Sequence, residues 1–203
     1  NGDVFFQHRE ACNKFYDELP AVVEKYMAMI NEKLGTNYQL FNYYGAEDAD
    51  RVIIAMGSIC DVAEEVIDYL NAHGEKVGLV KVRLYRPFRA DKLIAAIPST
   101  CKSIAVLDRT KEPGALGEPL YLDVVTALAE NGKTGLKVIG GRYGLGSKDT
   151  TPASVFAVYD ELKKDQPKKQ FTIGINDDVT FLSLAENKDC PNTAAPGTIE
   201  CKF

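Results

Sequence analysis

The 203-residue sequence lacks several features that point to particular classes of protein. Its five cysteines include no Cys-x-x-Cys pair, which disfavours zinc or iron–sulfur ligation and thioredoxin-like redox chemistry. Only two histidines occur, so a Ser/Cys–His–Asp catalytic set is not expected. The longest apolar runs are about five residues, against the ~20 needed to span a bilayer. With 24 Lys+Arg against 29 Asp+Glu, the chain lacks the basic excess that nucleic acids or anionic membranes require.

The cysteine count is odd and the start of the sequence is not a signal peptide, so we expect free thiols in a reducing cytoplasm. Cys60 lies in an amphipathic stretch and is interpreted as a small core residue. His73 precedes a helix-ending glycine and is interpreted as structural. The sequence begins at Asn1 without Met and ends in an apolar stretch, so we expect a fragment of a longer chain.

The first fifty residues predict a helical extension. Apolar residues recur at helical spacing over residues 7–34, and Gly35 is the expected stop. Pro20 falls inside this stretch, so we predict a break there and a second helix that starts near Pro20. Tyr43 and Tyr44 suit one face of an edge strand, or stacking on a ring.

From residue 51 onward, short β-branched runs alternate with amphipathic stretches. Strands are predicted at 52–56, 77–85, 103–107 and 136–139. Helices are predicted at 59–72, 90–96, 119–130 and 152–164, with Ser58 as the N-cap of the first and Thr150 or Thr151 as that of the last. This order predicts an α/β fold with a mostly parallel sheet and helices on both faces.

Three segments follow from these patterns. Residues 1–50 are the helical extension and a connecting segment, and residues 51–165 are the α/β domain. Residues 163–169 are charged and contain a proline, so they are the best candidate for a linker. Residues 166–203 are therefore predicted as a linker and the truncated start of a next domain.

The ends of the predicted strands are the candidate functional positions, because ligands of open α/β sheets bind outside the carboxyl ends of the strands. Small residues at a helix start with convergent arginines suit a phosphate, a carboxylate or another protein surface. The candidates for anion or inter-domain contact are Ser58, Arg86, Arg109, Lys111 and Arg142. The alternative is that these arginines brace their loops through Asp108, Glu112 or Glu118. No catalytic or metal-ligating set is predicted.

Seven segments resemble, in order, landmarks of the pyruvate:ferredoxin (flavodoxin) oxidoreductase family. They are FNYYGA (41–46), IAMGS (54–58), LYRPF (84–88), DRTKEPG (108–114), GEPLYLDV (117–124), GRYGL (141–145) and FTIGINDDVT (171–180). The resemblance covers essentially the whole chain. It implies an internal portion of a longer parent, namely its transketolase C-terminal-like second domain and the start of its third.

The resemblance also implies what the parent does. Such enzymes are oxygen-sensitive and anaerobic, and they cleave pyruvate on thiamine diphosphate with Mg²⁺. They pass electrons through [4Fe–4S] clusters to ferredoxin or flavodoxin, and they form acetyl-CoA and CO₂. The resemblance further implies a homodimeric parent.

The residues that hold these cofactors lie elsewhere in the family, so the resemblance implies no catalytic residue and no bound cofactor here. We therefore predict that the fragment alone is inactive, with a structural, inter-domain role. The family's third domain contacts CoA, which makes Asp178 and Thr180 candidates for a position near CoA. Two alternatives stay open: a module that binds CoA or FMN, and a purely structural interaction domain.

Overall fold

A computed structural model of the chain describes residues 1–192, 196–199 and 201. Two helices come first: α1 (Gly2–Ala11) and α2 (Asn13–Leu34). The sheet strands are β1 (Phe41–Gly45), β2 (Arg51–Ala55), β3 (Val77–Val82), β4 (Ser103–Asp108), β5 (Lys137–Arg142) and β6 (Gln170–Thr172). The helices between them are α3 (Ile59–Ala72), α4 (Ala90–Ala96), α5 (Pro119–Glu130) and α6 (Pro152–Lys163), with a short 3₁₀ turn at Leu145–Ser147.

The strands form one sheet in the order β1-β3-β2-β4-β5-β6. β1 pairs with β3 in antiparallel fashion, and the remaining pairs are parallel. α3 and α6 cover one face and α4 and α5 the other, so the predicted fold class is confirmed. β2 and β4 are buried along their whole length, as expected for continuous apolar strands between two helical layers.

Alternate residues of each strand supply the two hydrophobic cores. In β2, Ile53 and Ala55 join the core under α3 and α6, whereas Val52 and Ile54 join the core under α4 and α5. Tyr159 of α6 is fully buried in the first core, and its hydroxyl donates a hydrogen bond to the Gly78 carbonyl oxygen at 2.9 Å. The sheet is therefore held from both faces, which fixes the positions at which its strands end.

Within the α/β domain, the helix bounds agree with the sequence prediction to within one residue, but the expected side-chain cap of α3 is absent. Thr151 caps α6, since its side chain accepts a hydrogen bond from the Ser154 amide. Ser58 occupies the N-cap position of α3, as predicted, but its side chain makes no cap hydrogen bond. Its backbone is already helical (φ −63°, ψ −21°), whereas a capping residue has an extended backbone.

The predicted break at Pro20 is wrong. The helical extension breaks at Cys12, and Pro20 lies inside the continuous helix α2. Pro20 is the one buried residue of that helix, so packing of its ring offsets the hydrogen bond that proline cannot donate. Gly35 ends α2 in the left-handed conformation (φ 65°), as predicted.

β6 extends the sheet beyond the predicted range 51–165, and so does β1 on the other edge. Phe171 of β6 is fully buried against Gly141 of β5, where a Cβ atom would lie 2.4 Å from the Phe171 ring. In the predicted linker, the Lys168 amide donates a hydrogen bond to Glu161 Oε1 at 2.7 Å. The domain boundaries themselves stay a prediction, and residues 193–195, 200, 202 and 203 of the predicted segment 166–203 lie outside the described residues.

Across the part of the chain that the structure describes, none of the helices combines the length and apolarity needed to cross a bilayer.

Candidate functional site

The carboxyl edge of the sheet contains a crevice between the ends of β2 and β4. In the sheet, β3 lies on one side of β2 and β4 lies on the other side. The direction in which the chain adds strands to the sheet therefore reverses at β2. Open α/β sheets bind their ligands at such reversals. The crevice has a volume of about 350 Å³. Its lining includes Met56, Ser58, Tyr85, Asp108, Arg109 and Tyr143.

The start of α3 forms one wall of this crevice. Gly57 has a φ of 80°, which allows the chain to turn from β2 directly into the helix. The Gly57 carbonyl oxygen accepts a hydrogen bond from the Cys60 amide, which closes the first turn. Ser58 is exposed, and its hydroxyl has no hydrogen-bond partner among the described residues. The predicted contact residue Ser58 therefore does lie at the crevice, with its hydroxyl uncommitted to the fold.

Asp108, at the end of β4, caps helix α5. Its two carboxylate oxygens accept hydrogen bonds from the amides of Leu120 (2.9 Å) and Tyr121 (3.1 Å). Burial raises the pKa of Asp108 above its ordinary value, while these two amides act in the opposite direction. The carboxylate is thus engaged in holding α5 and is not free to act as an acid or base. Sequence reasoning missed this role, although an aspartate that ends a buried strand before a helix beginning with Pro119 is a usable signal.

Arg109 follows Asp108 and is exposed. Its Nε donates a hydrogen bond to the Gly144 carbonyl oxygen at 3.0 Å, which fixes the side chain between the ends of β4 and β5. Gly144 has a φ of 66°, and a Cβ atom there would lie 3.0 Å from Arg109 Nε. Within the described residues, no carboxylate lies in ion-pair range of Arg109. Its guanidinium is therefore held in place but not neutralised.

Arg142 and Lys111 differ from Arg109, because both approach the buried carboxylate of Glu118. Glu118 is 2% exposed. Its Oε1 lies 3.4 Å from Arg142 Nη1 and 3.9 Å from Lys111 Nζ, and its Oε2 accepts a hydrogen bond from the Glu112 amide at 2.6 Å. Arg142 is itself buried, and its Nε has no partner within the described chain. These contacts brace the loop between β4 and α5 against the sheet.

Arg86 lies outside the crevice lining. Its guanidinium stacks on the Tyr85 ring at 3.9 Å, and its Nη2 lies 2.7 Å from Asp123 Oδ2. The approach to Asp123 lacks hydrogen-bond geometry, so it is a close ion pair only. Arg86 is half exposed and already paired within the chain.

A second cavity of about 280 Å³ adjoins the crevice, and Tyr143 borders both. Lys111, Arg142 and Thr180 line it, so the structure brings three of the predicted residues together here. Asp178 accepts hydrogen bonds from the Thr180 amide and hydroxyl and from the Ser183 amide. The bond from Ser183 is the largest cause of the lowered pKa of Asp178. Asp178 and Thr180 thus order their own loop.

The crevice is suited to binding and contact. Its one carboxylate, Asp108, is engaged with helix α5, and within the described residues the structure contains no group of three or more metal-ligating side chains. His73 lies at the far end of α3, where its Nδ1 is 2.7 Å from the Tyr69 carbonyl oxygen. The crevice therefore offers a fixed cation, a hydroxyl and an aromatic wall, but no paired acid and base.

Comparisons with known proteins agree with the resemblance noted in the sequence. The chain is 55% identical over 203 residues to pyruvate:ferredoxin oxidoreductase of Moorella thermoacetica, and 53% identical over 203 residues to pyruvate-flavodoxin oxidoreductase of Enterobacter agglomerans. Both alignments cover 100% of this chain and 17% of the relative, so the chain spans about a sixth of the length of these relatives.

Among solved structures, 2-oxoglutarate:ferredoxin oxidoreductase from Magnetococcus marinus is 24% identical, over 61% of this chain and 20% of that chain, with a TM-score of 0.46. A similarity of that size supports no inference about the site. The family model described as pyruvate:ferredoxin oxidoreductase core domain II matches residues 49–155, which is more than half of the 203 residues. The chain therefore belongs to the pyruvate:ferredoxin oxidoreductase core domain II family.

Proposed function

We propose that these residues form a non-catalytic contact domain within a pyruvate:ferredoxin or pyruvate:flavodoxin oxidoreductase. In the proposed reaction of the parent, pyruvate, CoA and an oxidised acceptor give acetyl-CoA, CO₂ and the reduced acceptor. Thiamine diphosphate, Mg²⁺, [4Fe–4S] clusters and a homodimeric, cytoplasmic parent belong to the same proposal. Family membership and the small share of each relative that the chain covers support it.

The two buried cysteines of this chain do not fit an iron–sulfur cluster. Cys60 and Cys101 are buried in the two cores on opposite faces of the sheet, so they cannot ligate one cluster. Burial also raises the pKa of the Cys60 thiol to about 11 and that of Cys101 to about 12, which disfavours the thiolate that a cluster requires. The proposal therefore assigns the redox groups to other parts of the parent and derives no chemical step from this chain.

The observation that supports the proposal most strongly is that the Arg109 side chain is held in place while its guanidinium has no carboxylate partner among the described residues. Its Nε is held by the Gly144 carbonyl oxygen, while its guanidinium is exposed and lacks a carboxylate within the described chain. A planar donor fork fixed in this way suits bidentate pairing with a carboxylate or phosphate supplied from outside. The Ser58 hydroxyl, which has no hydrogen-bond partner among the described residues, borders the same crevice and supports the proposal of a partner there.

The test is Arg109→Ala in the full-length parent and in this chain, with Arg89→Ala as the matched control. Arg89 is a partly exposed arginine whose carboxylate partner, Asp91, lies on its own chain. Arg109→Ala should shift the melting temperature of the 203-residue chain by a few degrees at most, since exposed sites contribute about 0.5–1 kcal/mol. In the parent it should lower pyruvate- and CoA-dependent reduction of methyl viologen, or weaken assembly, whereas Arg89→Ala should do neither.

Three results would count against the proposal. Equal activity and assembly of the Arg109→Ala and wild-type parents would remove the contact role. Methyl viologen reduction by the 203-residue chain alone would contradict the non-catalytic assignment. Calorimetric binding of CoA, or a flavin spectrum of the purified chain, would instead favour a small-molecule binding module.

A further inference from the structure

Helix α2 carries a stripe of large apolar side chains that are exposed in the described structure. Phe15, Leu19, Val22, Tyr26 and Met29 follow one another at spacings of four and three residues, so they lie on one face of the helix. Their exposures range from 36% to 62%. We call these five residues the α2 stripe.

A second face of α2 is already occupied. Val23 and Met27 pack against the core under α4 and α5, and Pro20 is buried. The Asn31 side chain also makes two hydrogen bonds to the backbone of Tyr38. Its Nδ2 donates to the Tyr38 carbonyl oxygen, and its Oδ1 accepts from the Tyr38 amide. The helix is thus anchored by one face, and it cannot rotate to bury the α2 stripe without losing these contacts.

The size of the α2 stripe argues for a covering partner. Five large side chains at these exposures present on the order of 400–500 Å² of apolar surface, which is near the upper end of the largest patches on soluble monomers. The exposed side chains of Phe5 and Phe6 on α1 and Ile30 on α2 add to the apolar surface of this extension.

The spacing of the α2 stripe indicates the shape of the partner. Alternating steps of three and four residues are the heptad seam that receives the apolar side chains of another helix. Glu18, Lys25 and Glu32 follow one side of the seam at intervals of seven residues, where flanking charges of coiled coils lie. An amphipathic helix with its own apolar seam matches this surface.

We infer that the α2 stripe is covered in the parent by an amphipathic helix from the polypeptide outside residues 1–203. The curated relatives match this chain over 17% of their length, so most of each relative lies outside the aligned region and is available to supply such a helix. The inference rests on the proposed place of this chain in a larger parent. It adds a second contact surface, distinct from the crevice at the carboxyl edge of the sheet.

The test compares two cysteine variants of the full-length parent, Val22→Cys and Ala21→Cys. Val22 lies at the centre of the α2 stripe, while Ala21 is also exposed but lies off the seam. Labelling by a charged, water-soluble maleimide is followed by mass spectrometry of the peptide that contains the variant. In the parent, position 22 should label at least tenfold more slowly than position 21, whereas in the 203-residue chain the two rates should agree within about threefold.

Equal labelling of both positions in the parent would overturn the inference. A photo-crosslinker attached at position 22 of the parent should join a peptide from outside residues 1–203. A crosslink to residues 1–203 of a second copy, or protection of position 22 in the isolated chain that grows with its concentration, would identify a second copy as the occupant and also overturn it.

Native Met29 gives a readout that needs no substitution. Peroxide should oxidise Met29 in the 203-residue chain and leave it unoxidised in the wild-type parent. Because both proteins carry the natural residue, the test does not depend on the folding of a variant. Oxidation of Met29 at the same rate in both proteins would contradict the inference. The Arg109→Ala experiment reports on a different surface, so its failure and the failure of this inference are distinguishable.

Discussion

Removing the carboxylate of Glu118 should destabilise the chain through the arginine that it leaves behind. In the variant Glu118→Leu, the one partner that the buried Arg142 guanidinium keeps among the described residues is the neutral Gln170 Oε1, 3.3 Å from its Nη1. The Glu112 amide loses its acceptor at the same time. The substitution therefore leaves a buried positive charge without its carboxylate, which destabilises the chain more than the loss of one contact would.

The magnitude follows from burial and distance. Breaking a buried ion pair by removing one partner costs about 3–5 kcal/mol. The 3.4 Å separation of Glu118 Oε1 and Arg142 Nη1 is longer than the ~2.7–2.9 Å of a charge-assisted hydrogen bond, so we expect about 3 kcal/mol. The double variant Glu118→Leu/Arg142→Met removes both charges and should lose less stability than Glu118→Leu alone, since an apolar pair often replaces a buried ion pair at little cost.

The assay is urea unfolding of the 203-residue chain, followed by circular dichroism. Lys111→Met serves as the control, because Lys111 is 44% exposed and its Nζ lies 3.9 Å from the same carboxylate. That variant should lose less than about 1 kcal/mol, as exposed ion pairs do. A loss below about 1 kcal/mol in Glu118→Leu, or simple additivity of the two single variants in the double variant, would refute the brace between Glu118 and Arg142.

Two further predictions concern Gly144 and the buried thiols. Gly144→Ala should lower the free energy of unfolding by about 2 kcal/mol, since its left-handed φ costs a residue with a Cβ about 1–2 kcal/mol and the Cβ would press on Arg109. Gly146→Ala, with a φ of 61° and no heavy atom within 4 Å of the added Cβ, should lose less in the same urea titration, and equal losses would contradict the close approach. The pKa of the Cys60 thiol is raised from 9.0 to about 11 and that of Cys101 to about 12, so the unfolded chain loses these protons first. The stability that the neutral thiols contribute is fully present below pH 9. Between pH 9 and the folded pKa of each thiol, the free energy of unfolding should fall by up to about 1.4 kcal/mol per pH unit for that thiol. Cys60→Ala should reduce that slope, and an unchanged slope would contradict the assignment.

Much of the fold could be predicted from the sequence, because glycine and proline mark the ends of its helices. The bounds predicted for α3, α4 and α5 are those observed, and each helix begins or ends beside such a residue: Gly57, Gly74, Pro98 and Pro119. The buried strands β2 and β4 were recognisable from continuous apolar runs that only a sheet covered on both faces accommodates.

Features that depend on distant contacts were not predictable in the same way. Pro20 is accommodated within α2 because its ring is buried, which the local sequence does not reveal. β6 joins the sheet because Phe171 fits against the bare backbone of Gly141, thirty residues earlier. Arg142 is surrounded by Glu118 and Gln170 through the same long-range pairing. The sequence did place Arg109 at a strand end, but only the structure distinguishes its unpaired guanidinium from that of Arg142.

The most direct test of the contact role is the accessibility of Arg109 in the two proteins. Phenylglyoxal modifies exposed guanidinium groups, and mass spectrometry gives the rate at each arginine. In the 203-residue chain, Arg109 should react readily, because its guanidinium is exposed and unpaired within the described residues. In the full-length parent, Arg109 should be protected at least tenfold while Arg89 reacts at a similar rate in both proteins. Equal rates at Arg109 in the chain and in the parent would contradict the account.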